Sequence, residues 1–83
     1  MIEKNKKEQT KELRLKIEAL IIAIPSEEEA HDHYMELAES YSDETSKEMF
    51  TYLAKEELMH KRKLESLLGK LEAQLVELEA SND

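Results

Sequence analysis

The sequence predicts an all-α protein built on an antiparallel two-helix hairpin. Glu, Lys, Leu and Ala dominate the 83 residues, while Gly and Pro occur once each, a composition typical of long helices and not of sheets. Apolar residues recur at steps of three and four in two stretches, and a polar turn separates the stretches. We therefore expect residues 1–83 to form a single domain, whose core is only marginally sufficient on its own.

The first helix is expected from Leu13 onward, after a polar segment over residues 1–8 that has nothing to bury and should fray. Its apolar series runs to Tyr41 at helical spacing. Pro25 interrupts the series. Because proline lacks a backbone N–H and clashes with the carbonyl four residues back, we expect a kink or a restart there, with Ser26 capping the new turn.

The second helix follows a polar turn over residues 40–45, where Asp43 is the candidate N-cap. One face of this helix carries the apolar residues Met49, Phe50, Leu53, Leu64, Leu67 and Leu68. Gly69 either ends the helix or is tolerated inside it, so residues 70–80 form either a short C-terminal helix or an extension. The short turn predicts an antiparallel hairpin, and two hairpins packed together make a four-helix bundle.

The charge and the residue types narrow the possible partners. A formal net charge of -8 works against nucleic acid, because phosphate contacts need clustered Lys and Arg, and it favours cations. No apolar run approaches the ~20 residues of a membrane span, and the N-terminal residues lack a signal-peptide core, so we expect a cytoplasmic protein that binds no membrane. With no cysteine, carboxylates and imidazoles must hold any metal, which favours iron, manganese or zinc.

Three polar residues fall on the apolar lines, where a core is expected. The line along the first helix passes through Leu20, Ile24, Glu27, His31, Tyr34, Ala38 and Tyr41. The line along the second helix passes through Phe50, Leu53, Glu57, His60, Leu64, Leu67 and Leu71. A buried ionised carboxylate costs several kcal/mol unless it is paired or binds a metal. Glu27, Glu57 and His60 are therefore candidate metal ligands.

The three candidates are expected at about the same height in the hairpin. Glu57 and His60 are three residues apart, which places them on one face of a helix. Counted from Asp43, Glu27 lies 16 residues before and Glu57 14 residues after. Two hairpins related by a twofold axis would offer four glutamates and two histidines, the inventory of a di-iron carboxylate site. The alternative is a Glu57–His60 hydrogen bond in the core, or helices rotated so that these residues face solvent.

The same residues carry a family resemblance. The two motifs are Glu27-x-x-Ala30-x-x-x-Tyr34-x-x-x-Ala38 and Ala54-x-x-Glu57-x-x-His60. The first resembles one metal-binding helix of rubrerythrins and other ferritin-like proteins, and the second resembles the other. The resemblance covers roughly residues 17–68. Because the chain supplies half of a ferritin-like site, its layout is similar to that of the encapsulated ferritins, which are short chains with a small C-terminal helix.

The resemblance implies a ferroxidase, which oxidises Fe(II) to Fe(III) in iron storage or detoxification at a di-iron centre inside a ferritin-like four-helix bundle. Glu27, Glu57 and His60 would be the metal ligands and Tyr34 a nearby hydrogen-bonding residue, with manganese, zinc or calcium able to replace iron. It also implies a homodimer that completes the site, a larger ring-like oligomer, and an encapsulin shell that would place the protein inside a nanocompartment. The ending Leu-Glu-Ala-Ser-Asn-Asp does not match the apolar and basic tail of shell-targeted members.

Two other interpretations remain open. One is a rubrerythrin-like peroxide reductase, although the chain has no Cys-rich segment to supply electrons. The other is a non-enzymatic helical interaction module, held by a structural metal or by none. His31, one turn after Glu27, is either an additional ligand or a packed histidine.

Overall fold

The computed structural model describes residues 4–81, which form two long helices, α1 over Lys6–Ser40 and α2 over Glu44–Ala80. The helices are antiparallel, since Lys6 Nζ donates to the Ser81 carbonyl at 2.7 Å near the chain ends. Within the described residues there is no strand, so the all-α prediction is confirmed. Neither described helix has a stretch long and apolar enough to cross a membrane.

α1 begins earlier than the sequence predicts. The Asn5 side chain accepts the Glu8 backbone N–H at 2.8 Å, and Lys4 pairs with Glu12 at 2.6 Å. The N-cap satisfies one of the backbone donors that a helix leaves free at its start, so this end forms without burying apolar residues. α1 thus begins within the segment that is expected to fray, and residues 1–3 lie outside the described part of the chain.

Pro25 lies inside α1, and the helix does not restart there. The predicted restart capped by Ser26 is wrong. Proline removes one hydrogen bond from a helix of 35 residues, whereas Ile17 and Ala38 bury their side chains on either side of it. Packing against α2 thus holds the two segments in one helix despite the local preference of proline.

The turn and the start of α2 agree with the sequence. Asp43 is the N-cap, and its carboxylate accepts the Ser46 backbone N–H at 2.9 Å. Lys47 Nζ donates to the Ala38 carbonyl at 3.2 Å, which ties the first turn of α2 to the end of α1. The connection between the helices is therefore only residues 41–43.

α2 continues through Gly69 to Ala80, so a separate short C-terminal helix is not formed. Of the two alternatives for residues 70–80, the structure shows the extension. Gly69 does not adopt the positive φ of a helix-ending glycine. Leu71, Leu75 and Leu78 are half-buried beyond it, so the apolar stripe that holds α2 in place does not stop at the glycine.

The core of the hairpin is thin. Among the described residues only Ile17, Ala38 and Ala54 are buried. Ten large apolar residues are exposed: Leu15, Ile21, Ile22, Met35, Tyr41, Met49, Tyr52, Met59, Leu67 and Val76. The molecule measures 62 × 25 × 14 Å, and its smallest extent is that of one layer of helices. Both broad faces of this layer are uncovered.

At three points along α2, the more buried residue comes one position after the residue on the predicted line. Ala54 is buried, Lys61 and Leu68 are half-buried, and His60 and Leu67 are exposed. His60 and Leu67 are therefore outside the contact between α1 and α2 of one hairpin, and their burial in a bundle of two hairpins stays a prediction. Steps of three and four admit two neighbouring lines on one helix, and only the packing of α1 against α2 decides between them.

Candidate metal centre

Two glutamates and one histidine come together where α1 faces α2. Glu27 comes from α1, while Glu57 and His60 come from α2, and one ligand atom of each lies within 4.8 Å of the others. His60 Nδ1 is 3.6 Å from Glu27 Oε2 and 3.7 Å from Glu57 Oε2. Ligands that share one metal at about 2.0–2.2 Å lie about 3–3.5 Å apart, so small side-chain rotations would let these three groups bind a single ion.

The lengths of the helices explain why these residues meet. Glu27 lies thirteen positions before Ser40, the end of α1, and Glu57 lies thirteen positions after Glu44, the start of α2. A three-residue turn joins the helices, so the two glutamates lie at the same height. His60, one turn further along α2, lies on the same face as Glu57. The structure thus brings together the three predicted ligands, and their role in binding metal stays a prediction.

The cluster lies at the edge of the contact between α1 and α2. The Glu27 and Glu57 side chains are 27% and 21% exposed, whereas the His60 side chain is 55% exposed. The carboxylates are therefore partly desolvated between the helices, and the imidazole opens towards one broad face. An ion or a second protein chain can reach the cluster from that face.

Glu27 affects the protonation of Glu57. A hydrogen bond shared with Glu27 raises the pKa of Glu57 above its ordinary value, and partial burial and the Glu27 charge act in the same direction. The nearby His60 opposes this shift. Two close carboxylates repel each other when both are ionised, and a proton held between them removes that repulsion. A divalent cation bound there removes it as well. Metal binding at this site would therefore compete with protons.

Tyr34, predicted to be near the metal, takes part in an aromatic stack towards the turn. Its ring lies 6.4 Å from that of Phe50, centroid to centroid, at an interplanar angle of 23°. Phe50 also stacks on Tyr41 at 5.4 Å. The Tyr34 hydroxyl makes no hydrogen bond to any residue of the described chain. Its position two turns from Glu27 is as predicted from spacing, and its hydrogen-bonding role stays a prediction.

His31 lies outside the cluster. Its Nδ1 is 3.1 Å from Asp32 Oδ1, and it lines a separate hollow with Glu28, Leu58 and Lys61. Lys61 Nζ pairs with Glu28 at 3.5 Å across the helices, a contact that the sequence analysis missed. Of the two interpretations of His31, this placement favours a packed histidine.

The donor set fits a hard or borderline divalent ion. One chain offers carboxylate oxygens and one imidazole nitrogen, without thiolate, which suits iron, manganese or zinc. Three residues from one chain leave further coordination positions open to water, to substrate or to another protein chain.

The fold is an antiparallel two-helix hairpin that carries a candidate metal-ligand cluster. Comparison with protein families identifies the family of the chain. The family model described as Rubrerythrin matches residues 18–83. The chain therefore belongs to the rubrerythrin family, a ferritin-like family that binds di-iron centres. The predicted ferritin-like resemblance is confirmed at this level. Comparisons with curated proteins and with solved structures gave no match.

Proposed function

We propose that the protein is a cytoplasmic ferroxidase, which oxidises Fe(II) to Fe(III) in iron storage or detoxification at a di-iron centre completed by a second copy of the chain. The observation that carries the proposal is the meeting of Glu27, Glu57 and His60 within 4.8 Å across two helices. Membership of the rubrerythrin family supports iron as the metal.

The second copy is proposed because one chain supplies too few ligands for two ions. A homodimer would offer four carboxylates and two imidazoles, and the charge of four glutamates would balance two Fe(II) ions. Seven-residue spacing places Leu53 and Leu67 on the same edge of α2 as His60, and Leu67 is 41% exposed. A second hairpin could cover this apolar edge and the cluster together.

The chain's own residues would bind the ions, and the protonation of these residues would control the binding. When bound, Fe(II) supplies the electrons that reduce oxygen or peroxide. Protons compete with the metal for Glu57, whose pKa is raised, and both carboxylates, once ionised, would act as hard ligands suited to Fe(II) and Fe(III). His60 must be neutral to bind through Nδ1, the nitrogen that faces both carboxylates. The proposed activity should therefore fall in acid.

A rubrerythrin-like peroxide reductase is the second candidate, and the family match favours it as directly as it favours a ferroxidase. The two candidates use the same ligands and differ in the preferred oxidant. A non-enzymatic bundle with a structural metal would bind the ion and oxidise nothing. Oxygen and peroxide must therefore be tested separately.

The test adds Fe(II) to protein that has been freed of metal by a chelator, and follows ferric absorbance. In air, a ferroxidase should oxidise Fe(II) faster than buffer does, whereas a peroxide reductase should respond mainly to peroxide added without oxygen. His60→Ala should lower the rate to that of buffer, because it removes the nitrogen ligand. His33→Ala is the matched control, since His33 is exposed and outside the cluster, and it should keep the wild-type rate.

Circular dichroism must show that His60→Ala retains its helices, which is expected for an exposed side chain. If His60→Ala and wild type oxidise Fe(II) equally fast, the assignment of the site is wrong. If wild type binds Fe(II) but oxidises it with neither oxidant, the structural-metal interpretation replaces the enzyme.

A further inference from the structure

Pro25 lies inside α1, two residues before the candidate ligand Glu27, and it is exposed. Proline has no backbone N–H, so the Ile21 carbonyl, four residues earlier, receives no helical hydrogen bond from this position. No residue costs a helix more than proline does. Packing on either side holds the helix together, but the exposed ring itself contributes no burial, so stability alone does not explain a proline at this position.

The position of Pro25 on the helix sets the direction of its effect. The proline ring clashes with the carbonyl on its own side, so a helix bends away from the ring and becomes convex there. Pro25 faces solvent, and α1 is therefore expected to be convex outward, with its two ends turned towards α2. The burial of α1 fits this shape. Its two buried residues, Ile17 and Ala38, lie on either side of Pro25, and none lies between them.

The stretch of α1 between its two buried residues carries Glu27, which meets His60 across the helices. His60 Nδ1 is nearly as close to Glu27 across the helices as it is to Glu57 on its own helix, at 3.6 and 3.7 Å. Both distances exceed those of a charge-assisted hydrogen bond, about 2.7–2.9 Å. Glu27 therefore lies near His60 without a short hydrogen bond to it, at a distance from which both groups can turn towards a shared cation.

We propose that Pro25 is a positioning residue, which bends α1 outward beside Glu27 and so sets a gap between Glu27 and the Glu57–His60 pair that admits a divalent cation. This inference rests on the metal binding included in the proposed function. A straight α1 would bring Glu27 closer to α2. The carboxylate would then pair directly with His60, and a cation would have to break that pair to enter.

The test uses Co(II) alone as the probe in deoxygenated buffer, because its visible absorption reports ligand geometry without redox chemistry. Pro25→Ala restores the missing N–H and should raise the melting temperature of the metal-free protein by about 10 °C. The same variant should bind Co(II) at least about tenfold more weakly than wild type and with a changed visible spectrum. A residue that only affected stability would not change the spectrum.

Gly69→Ala is the matched control. Gly69 is an exposed helical residue of α2, and a Cβ built there meets no atom within 4 Å. This substitution should raise the melting temperature by about 5 °C through helix propensity and leave Co(II) binding unchanged. The pair of variants thus separates stabilisation of a helix from positioning of Glu27.

Wild-type affinity and spectrum in Pro25→Ala would overturn the positioning role and leave the metal site standing. A lower melting temperature in Pro25→Ala would also overturn it, because α1 would then not be strained by proline. If wild type itself fails to bind Co(II), the failure belongs to the metal site, and both proposals fall.

Discussion

At the scale of single residues, Glu57 has the most altered chemistry among the candidate ligands. Its pKa is raised by the hydrogen bond shared with Glu27, by partial burial and by the Glu27 charge. A raised pKa means that the folded chain holds this proton more tightly than the unfolded chain. The free energy of unfolding therefore falls as the pH rises through the raised pKa. The stabilising contribution is complete below the ordinary value of 4.5 and is lost above the raised one.

Replacing Glu57 with glutamine should remove this pH dependence. Glutamine is neutral and can still share a hydrogen bond with Glu27, so metal-free Glu57→Gln should melt a few degrees above wild type at pH 7. At pH 4, where wild-type Glu57 is protonated, the two proteins should melt together. Circular dichroism melts at both pH values measure the difference. An equal difference at the two pH values would mean that repulsion between the carboxylates is not its cause.

The sequence was sufficient to predict that Glu27, Glu57 and His60 meet, because helical spacing and the position of the turn fix their height. It could not predict that His60 lies at the exposed edge. Glu57 and His60 differ by three residues, which is about 60° around a helix, and the direction of α1 decides which of them points inward. That direction depends on packing along the whole hairpin.

At the scale of elements, the turn at residues 41–43 fixes how α1 and α2 face each other. Asp43 caps α2 through the Ser46 N–H, and Lys47 ties the first turn of α2 to the Ala38 carbonyl. These contacts fix the turn, and the turn sets the heights of Glu27 and Glu57 along the two helices. The cap thus contributes both to the start of α2 and to the geometry of the cluster.

Asp43→Ala should lower the melting temperature by about 5 °C, whereas Asp43→Asn should keep most of the stability, because asparagine also accepts the Ser46 N–H. Hydrogen bonds from Ser46 lower the pKa of Asp43 below its ordinary value of 3.8. The contribution of the wild-type carboxylate is therefore present above pH 3.8 and lost as the pH falls through the lowered pKa. Melts from pH 7 to pH 2 test this, and equal losses in the two variants would exclude capping as the cause.

The sequence predicted the turn and the Asp43 cap because both depend on local chemistry. It did not predict that α1 would continue through Pro25, nor did it decide how α2 would pass Gly69. Both residues favour breaks locally, and apolar packing on either side outweighs that preference. Packing between helices cannot be deduced from the local residues.

At the scale of the whole molecule, the hairpin is a single layer whose candidate metal-ligand cluster lies at one edge of the contact between the helices. The proposed dimer covers this edge, and an ion held by both chains stabilises the dimer by RT ln(1 + [L]/K), where K is the dissociation constant, or about 2.7 kcal/mol at a hundredfold excess over K. Metal-free protein should sediment as smaller species that shift to larger ones when Fe(II) is added without oxygen. Glu27→Ala should abolish the shift. The same association constant with and without metal would show that the site is not shared between chains.

Leu67 allows the apolar part of this surface to be tested without touching a ligand. Leu67→Glu should place a charge on the edge that carries His60, and should weaken self-association at least tenfold. Val76→Glu is the control, because Val76 is 69% exposed and lies off the Leu53–His60–Leu67 line. Sedimentation of both variants measures the effect. If Val76→Glu weakens association as much as Leu67→Glu does, the contact surface lies elsewhere.

The cluster lies closer to the turn than to the open end of the hairpin. This position also affects how long its three residues stay together. Helix ends that no turn closes open locally at little free-energy cost, whereas segments near a tight turn can separate only together. Glu27 and Glu57 lie 13 residues from the closed end and more than 20 from Lys6 and Ala80. Unzipping from the chain ends must therefore pass most of the hairpin before it releases either carboxylate. Amide hydrogens beside the cluster should exchange with solvent more slowly than those of the open end, and the ligands should stay together through most thermal fluctuations.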